Sequence, residues 1–223
     1  MKIQEYPDRE MLSINVANRL AGDLENHLLT QDRASFAVPG GTTPGPIFDA
    51  LCAADIDWSQ VHVMPTDERW VPQDHDRSNA RLILERLLVG RAASATFLPL
   101  YAPSDQPEDV LADLEAALAP ELPISVLVLG MGTDMHTASL FPGAPGLEAA
   151  LDHDAPILSV LRPETEPEAR VSLSARVLDG ALSKHLVIYG DAKRAALERA
   201  LSMPPEEAPI QSVLTEMTVH WAE

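Results

Sequence analysis

The chain reads as an α/β protein, a mostly parallel Rossmann-like sheet flanked by helices, in a single domain over residues 1–223. Three observations predict this. Short apolar runs alternate with helical apolar stripes, the pattern of parallel strands joined by crossover helices. The run Ile124-Ser125-Val126-Leu127-Val128-Leu129 is nearly all apolar, as suits a parallel strand covered on both faces. Glycine-rich or charged segments follow several strands, at the carboxyl ends where ligands of such sheets bind.

The elements follow in order. Leu12, Val16, Leu20, Leu24 and Leu28 recur at i+4 and predict a helix from about Asp8 to Leu29. Ala34–Val38 predicts a buried strand, followed by a glycine loop and a helix containing Ile47, Phe48 and Leu51. Val61–Met64 predicts a strand leading into Asp67-Glu68-Arg69. Helices are predicted over Ala80–Val89 and Asp109–Leu118, then the strand Ile124–Leu129. Val171–Ser174 and Leu186–Tyr189 predict strands with a short helix between them. Asp191–Leu201 predicts a helix and Thr218–Trp221 a final strand. The prolines fall mostly between these stretches and punctuate the chain without dividing it into domains.

Composition narrows the function. With 34 Asp+Glu against 16 Lys+Arg among 223 residues, the formal net charge is −18. That charge disfavours a nucleic-acid backbone or an anionic membrane as partner. A hydrophobic fraction of 46% is too high for a disordered acidic polymer. The lone cysteine, Cys52, excludes an internal disulfide and a Cys-rich metal site, and its place beside Leu51 predicts a buried structural role. The charged N-terminal stretch holds no signal peptide, and no apolar run is long enough to span a bilayer. A cytoplasmic protein is therefore expected, with oligomeric state undetermined.

Three post-strand segments carry the candidate chemistry. In Pro39-Gly40-Gly41-Thr42-Thr43-Pro44-Gly45, the glycines let the backbone approach a ligand, and Thr43 is placed to cap the next helix. Free amides and a helix N-terminus would suit a phosphate, although a tight turn without a ligand reads the same way. In Thr66-Asp67-Glu68-Arg69-Trp70, Asp67 is a candidate to orient a histidine or a substrate hydroxyl. Arg69 is a candidate to stabilise an oxyanion or bind a carboxylate. A solvated charge cluster is the alternative. The third segment, Gly130 to Gly143, contains His136 in a glycine-rich turn, where a near-neutral imidazole could shuttle a proton. Six other histidines make a lone histidine weak support. No histidine pair at i, i+4 and no zinc-ligand spacing is present, and Ser139 lacks a Gly-x-Ser-x-Gly elbow.

Taken together, the segments form a recognisable series. Pro-Gly-Gly-Thr-Thr-Pro at 39–44, Asp-Glu-Arg-Trp-Val-Pro at 67–72 with Ser78-Asn79, and Gly-Met-Gly-x-Asp-x-His-Thr-Ala-Ser-Leu-Phe-Pro-Gly at 130–143 stand in order. Ala169 to Ser174 and Gly190-Asp191-Ala192-Lys193 follow. These motifs resemble the 6-phosphogluconolactonase family, related to glucosamine-6-phosphate isomerase, over roughly residues 35–200. Two departures stand out: Pro39 replaces the usual serine of the first motif, and Met135 the usual glycine before the histidine.

The resemblance implies the sugar-phosphate isomerase/lactonase fold. It also implies hydrolysis of a phosphorylated sugar lactone in the pentose phosphate pathway, with no metal and no cofactor. On that basis Gly40, Gly41, Thr42 and Thr43 are expected to cradle the phosphate, with Lys193 and Arg170 adding positive charge. His136 is expected to activate water, Asp67 to orient His136 or a sugar hydroxyl, and Arg69 to hold substrate or oxyanion. An isomerase or deaminase of amino-sugar phosphates is the nearest alternative, but Thr137-Ala138-Ser139-Leu140-Phe141-Pro142 lacks that branch's acidic residue. A non-catalytic sugar-phosphate sensor on the same fold is the other. Because the whole chain is acidic, the lactonase reading requires a small positive pocket built from Arg69, Arg170, Lys193 and loop amides.

Overall fold

The computed structural model describes residues 1–223. Its first half contains the strands β1 (Lys2–Glu5), β2 (Ala34–Val38), β3 (Val61–Pro65), β4 (Asp67–Arg69) and β5 (Thr96–Phe97). The helices there are α1 (Arg9–Leu28), α2 (Gly45–Leu51), α3 (Asn79–Arg86) and α4 (Leu111–Leu118). The second half adds β6 (Val126–Leu129), β7 (Leu158–Leu161), β8 (Arg170–Leu173), β9 (Ser183–Tyr189) and β10 (Thr218–Ala222). Its helices are α5 (Leu147–Leu151), α6 (Ala175–Asp179) and α7 (Asp191–Ala200).

Seven strands form one sheet in the order β1-β10-β9-β6-β2-β3-β5, and every pairing in it is parallel. Side chains on a strand alternate between faces, and the packing shows it. Phe36, Val38, Val126 and Val128 join one apolar cluster, whereas Ala37, Leu127 and Leu129 join the other. Helices cover both faces. The first cluster takes in α1 through Leu12, Val16, Leu20 and Leu24, α2 through Ile47 and Phe48, and α3 through Ile83. The second is closed by Leu114 of α4, Leu178 of α6 and Leu197 of α7. In α1 the Asp8 side chain accepts a hydrogen bond from the amide of Met11 at 2.7 Å, a cap worth about 1 kcal/mol. Burying each of Leu12, Leu20 and Leu24 contributes roughly 2 kcal/mol, so the apolar stripe holds this helix more than its cap does.

The structure departs from the sequence reading in several places. A second sheet of three antiparallel strands, β4-β8-β7, stands apart from the parallel one. Asp67–Arg69, expected in a post-strand loop, is one of its strands, and β8, expected in the mostly parallel sheet, pairs there. Edge strands β1 and β5 were not foreseen, being short and holding a single apolar residue each. Thr43 does not cap α2, whose N-cap is Pro44 with no side-chain hydrogen bond. Cys52 is half-buried at the end of α2, its thiol donating to the carbonyl of Asp49 at 3.3 Å. No helix is long and apolar enough to cross a membrane.

Strand β2 has β3 on one side and β6 on the other, so the chain leaves its carboxyl end in one direction and later returns in the other. Such a switch point opens a crevice between the two post-strand loops.

Candidate active site

That crevice is a cleft of about 340 Å³. Its walls include Gly40, Gly41, Thr42 and Thr43 after β2, Asp67 and Arg69 on β4, and His136 after β6. Arg170 on β8 and Lys193 in the first turn of α7 complete the set. The fold thus brings together, from five separate segments, all nine residues singled out from the sequence.

The loop after β2 is built to expose its backbone. Gly41 takes φ +83°, in the left-handed region. A Cβ on Gly40 would stand 1.7 Å from Oδ1 of Asn79, so only glycine lets that side chain lie across the loop. None of the amides from Gly40 to Thr43 donates a hydrogen bond within the protein. Four unpaired N–H groups beside a helix start form an anion-binding concavity. Lys193 faces the same cleft half-buried. Burial pulls its ammonium below the ordinary lysine range, against the opposing charge of Asp134.

The imidazole of His136 is held on two sides. Its ring stacks on Phe141 with centroids 4.4 Å apart, and its Nδ1 lies 2.6 Å from Oδ1 of Asp134. The hydrogen bond from His136 holds the Asp134 carboxyl below the usual range, outweighing the upward push of burial. Being ionised, Asp134 can only accept, so Nδ1 must donate and Nε2 is left with the free lone pair. Gly132 permits the arrangement, since a Cβ there would meet Asp134 Oδ1 and His136 Nδ1 at 2.3 Å each.

The carboxylate on His136 is therefore Asp134, and Asp67 does not bond it. Asp67 is buried, and its carboxylate accepts from Ser139 Oγ at 2.6 Å and Thr66 Oγ1 at 3.1 Å. Its carbonyl takes a bond from Asn79 Nδ2 at 2.8 Å, which ties it to the glycine loop. Its neighbour Glu68, on the other face of β4, is fully buried. It accepts from the amides of Arg69, Asn79 and Ala80 at 2.7–2.8 Å and from Ser78 Oγ at 3.1 Å. Burial still raises its carboxyl above the usual range. Glu68 anchors the start of α3 to β4.

Arg69 and Arg170 stand directly opposite each other on β4 and β8. Burial lowers the Arg69 guanidinium pKa, and the charge of Arg170 adds to that. The Arg170 guanidinium lies 5.8 Å from the centre of the Phe141 ring, on whose face His136 also stacks, and it is paired with Glu166.

The sequence reading gave no role to Asp134, Ser139, Asn79, Glu68 or Glu166. For Asp134 a signal was present, a carboxylate two residues before the histidine in a tight turn. Glu166 had none, lying in an acidic, proline-bearing stretch.

Comparison with known proteins accords with this geometry. The family model for glucosamine-6-phosphate isomerases/6-phosphogluconolactonase matches residues 7–221. The chain belongs to this family. Within the isomerase/lactonase family, it is 42% identical over 212 residues to a 6-phosphogluconolactonase of Pseudomonas aeruginosa, covering 92% of this chain and 88% of that one. It is 41% identical over 226 residues to a 6-phosphogluconolactonase of Mesorhizobium japonicum, covering 97% and 93%. Among solved structures, a 6-phosphogluconolactonase from Shewanella baltica superposes with a TM-score of 0.96 at 32% identity, over 100% of this chain and 98% of that one. A monomeric glucosamine-6-phosphate deaminase gives a TM-score of 0.82 at 16% identity, covering 100% and 98%, a likeness of fold alone.

Proposed function

We infer that this chain hydrolyses 6-phospho-D-glucono-1,5-lactone to 6-phosphogluconate, a step of the pentose phosphate pathway, in the cytoplasm. The observation that carries this reading is the Asp134–His136 pair opening onto a cleft with three cations and four unpaired amides, on a protein of net charge −18. A cleft of about 340 Å³ suits a phosphorylated sugar. The family relationship supports it from a separate direction.

In this mechanism the amides of Gly40, Gly41, Thr42 and Thr43 take the phosphate, with Lys193 and Arg170 supplying charge. His136 Nε2 removes a proton from water as the water oxygen bonds to the lactone carbonyl carbon. Asp134 stabilises the imidazolium that forms. Arg69 stabilises the oxyanion. Collapse of the tetrahedral intermediate breaks the bond to the ring oxygen, and His136 returns its proton there. The product is an open-chain carboxylic acid that ionises at neutral pH. Asp67, fixed by Ser139, accepts a hydrogen bond from a sugar hydroxyl. No step requires a metal ion or a cofactor.

Replacing His136 by Ala should lower kcat by about 10²–10⁴-fold, the usual scale for a general base, measured above the spontaneous hydrolysis of the lactone. Unchanged turnover would overturn the assignment. Lys193→Ala should instead raise KM for the phosphorylated lactone, and an unaltered KM would remove Lys193 from the phosphate site.

A further inference from the structure

The stretch between β7 and β8 lays one carboxylate into the cleft wall. Glu166 Oε2 accepts from Nη2 of Arg77 at 2.8 Å and also from Nη2 of Arg170. The Arg170 side chain is only 4% exposed, whereas Glu166 and Arg77 reach solvent, so the carboxylate bridges a buried guanidinium and an accessible one. Burial pushes the Glu166 carboxyl up, but the charges and hydrogen bonds of Arg170 and Arg77 outweigh it and hold the group below the usual range. Glu168 lies 2.9 Å from the same nitrogen of Arg77, yet it neither pairs with Arg170 nor lines the cleft. Even with Glu166 in place, the Nε donors of Arg69, Arg77 and Arg170 are buried without a partner. The arginine cluster therefore has more donor capacity than its two carboxylates use.

A carboxylate already seated on an arginine pair competes best against its own kind. An incoming group of the same charge and geometry gains nothing by exchange, whereas a phosphate dianion brings twice the charge and a third acceptor oxygen. We propose that Glu166 is a specificity-determining residue that guards Arg170 against singly charged carboxylates and yields it to a phosphate dianion. The proposal rests on the lactonase reading only in taking the ligand of the cleft to be a phosphorylated sugar. It also has a consequence for that reaction. The carboxylate created by ring opening finds no vacant guanidinium at Arg170, so Arg170 holds the product only through its phosphate.

A different role would place Glu166 as a brace that merely orients Arg170 for the anion. The two roles predict opposite signs. Inorganic phosphate and D-gluconate, which carries a carboxylate but no phosphate, are titrated calorimetrically into the wild type, Glu166→Gln and Glu168→Gln. The titrations use matched ionic strength near pH 8, where phosphate is mainly dianionic. Glu166→Gln should bind phosphate about tenfold more tightly and acquire measurable gluconate binding, while Glu168→Gln behaves as wild type. Phosphate binding that is unchanged or weaker in Glu166→Gln would overturn the proposal. So would equal gains in both variants, or a Glu166→Gln protein that still refuses gluconate. These readouts need no turnover. Failure of the lactonase reading, seen as wild-type hydrolysis no faster than the spontaneous rate, is therefore a separate result.

Discussion

Met135 sits at φ +68°, in the left-handed region that favours glycine. The strain costs roughly 1 kcal/mol. Its side chain is only 8% exposed within the larger core cluster, and its carbonyl accepts from the amide of Ile210 at 3.1 Å. Burial of a methionine contributes about 1.5–3 kcal/mol, which more than offsets the strain. The methionine therefore anchors the turn that carries His136. Pro39 lacks an amide N–H, and the anion site is left to the four amides that follow. At this scale the decisive contact is Asp134 on His136. Asp134→Asn should lower kcat by about 10²-fold or more, because the amide neither enforces the Nδ1–H tautomer nor stabilises the imidazolium. Steady-state kinetics corrected for spontaneous hydrolysis would check this, and near-normal turnover would free His136 from any dependence on Asp134.

Among the elements, those with strong periodicity were legible from sequence. The i+4 leucines of α1 and the apolar runs of β2 and β6 specify their own conformation, because burial on one stripe or on both faces leaves little choice. The small antiparallel sheet was not legible. Its strand β4 is three residues long, and all three, Asp67, Glu68 and Arg69, are charged. Tertiary partners, namely Arg170, Val171 and Ser172 opposite and the amides at the start of α3, make it a strand. The nine site residues could be gathered from motifs, yet the aspartate expected to orient His136 was Asp67, where the structure has Asp134. A further polar chain lies between β9, β10 and α1. Tyr6 Oη is 2.8 Å from His220 Nδ1, His220 Nε2 is 3.0 Å from His185 Nδ1, and His185 Nε2 is 2.9 Å from Asp23 Oδ2. Burial, with the charges of His185 and Arg19 adding to it and Asp23 opposing, lowers the His220 pKa from 6.5 to about 3. The folded protein thus refuses a proton that the unfolded chain accepts below pH 6.5. Stability should be fully present above that pH and decline as pH falls toward 3, by up to about 1.4 kcal/mol per pH unit. Asp23, held below the ordinary carboxyl range, acts only at lower pH. Urea unfolding between pH 7 and 5 should show this slope in the wild type and a flatter one in His220→Gln. Equal slopes would place the titration elsewhere.

Taken whole, the protein carries a net charge of −18, yet one cleft gathers Arg69, Arg170 and Lys193. Long-range attraction cannot draw in an anionic substrate, so capture must occur at short range. The concentrated positive charge is a cost in the unliganded fold, and an anion that relieves it should stabilise the whole molecule. At tenfold excess over its dissociation constant, phosphate should add about 1.4 kcal/mol. That raises the melting temperature by about 3–5 °C relative to chloride at equal ionic strength. Scanning calorimetry in the two salts would check it, and coincident melting curves would mean that no anion site is built here. The antiparallel sheet has one more consequence. Because Arg69 faces Arg170 across a fixed register, adding or removing one residue inside β8 would turn Arg170 to the opposite face. The stretch from 163 to 168, which carries Glu166, lies outside that ladder. Its length and composition can drift while the strands on either side stay in step. For an engineer, the small sheet is a chassis and that stretch its one exchangeable part, the place where a different acid or sugar preference could be installed.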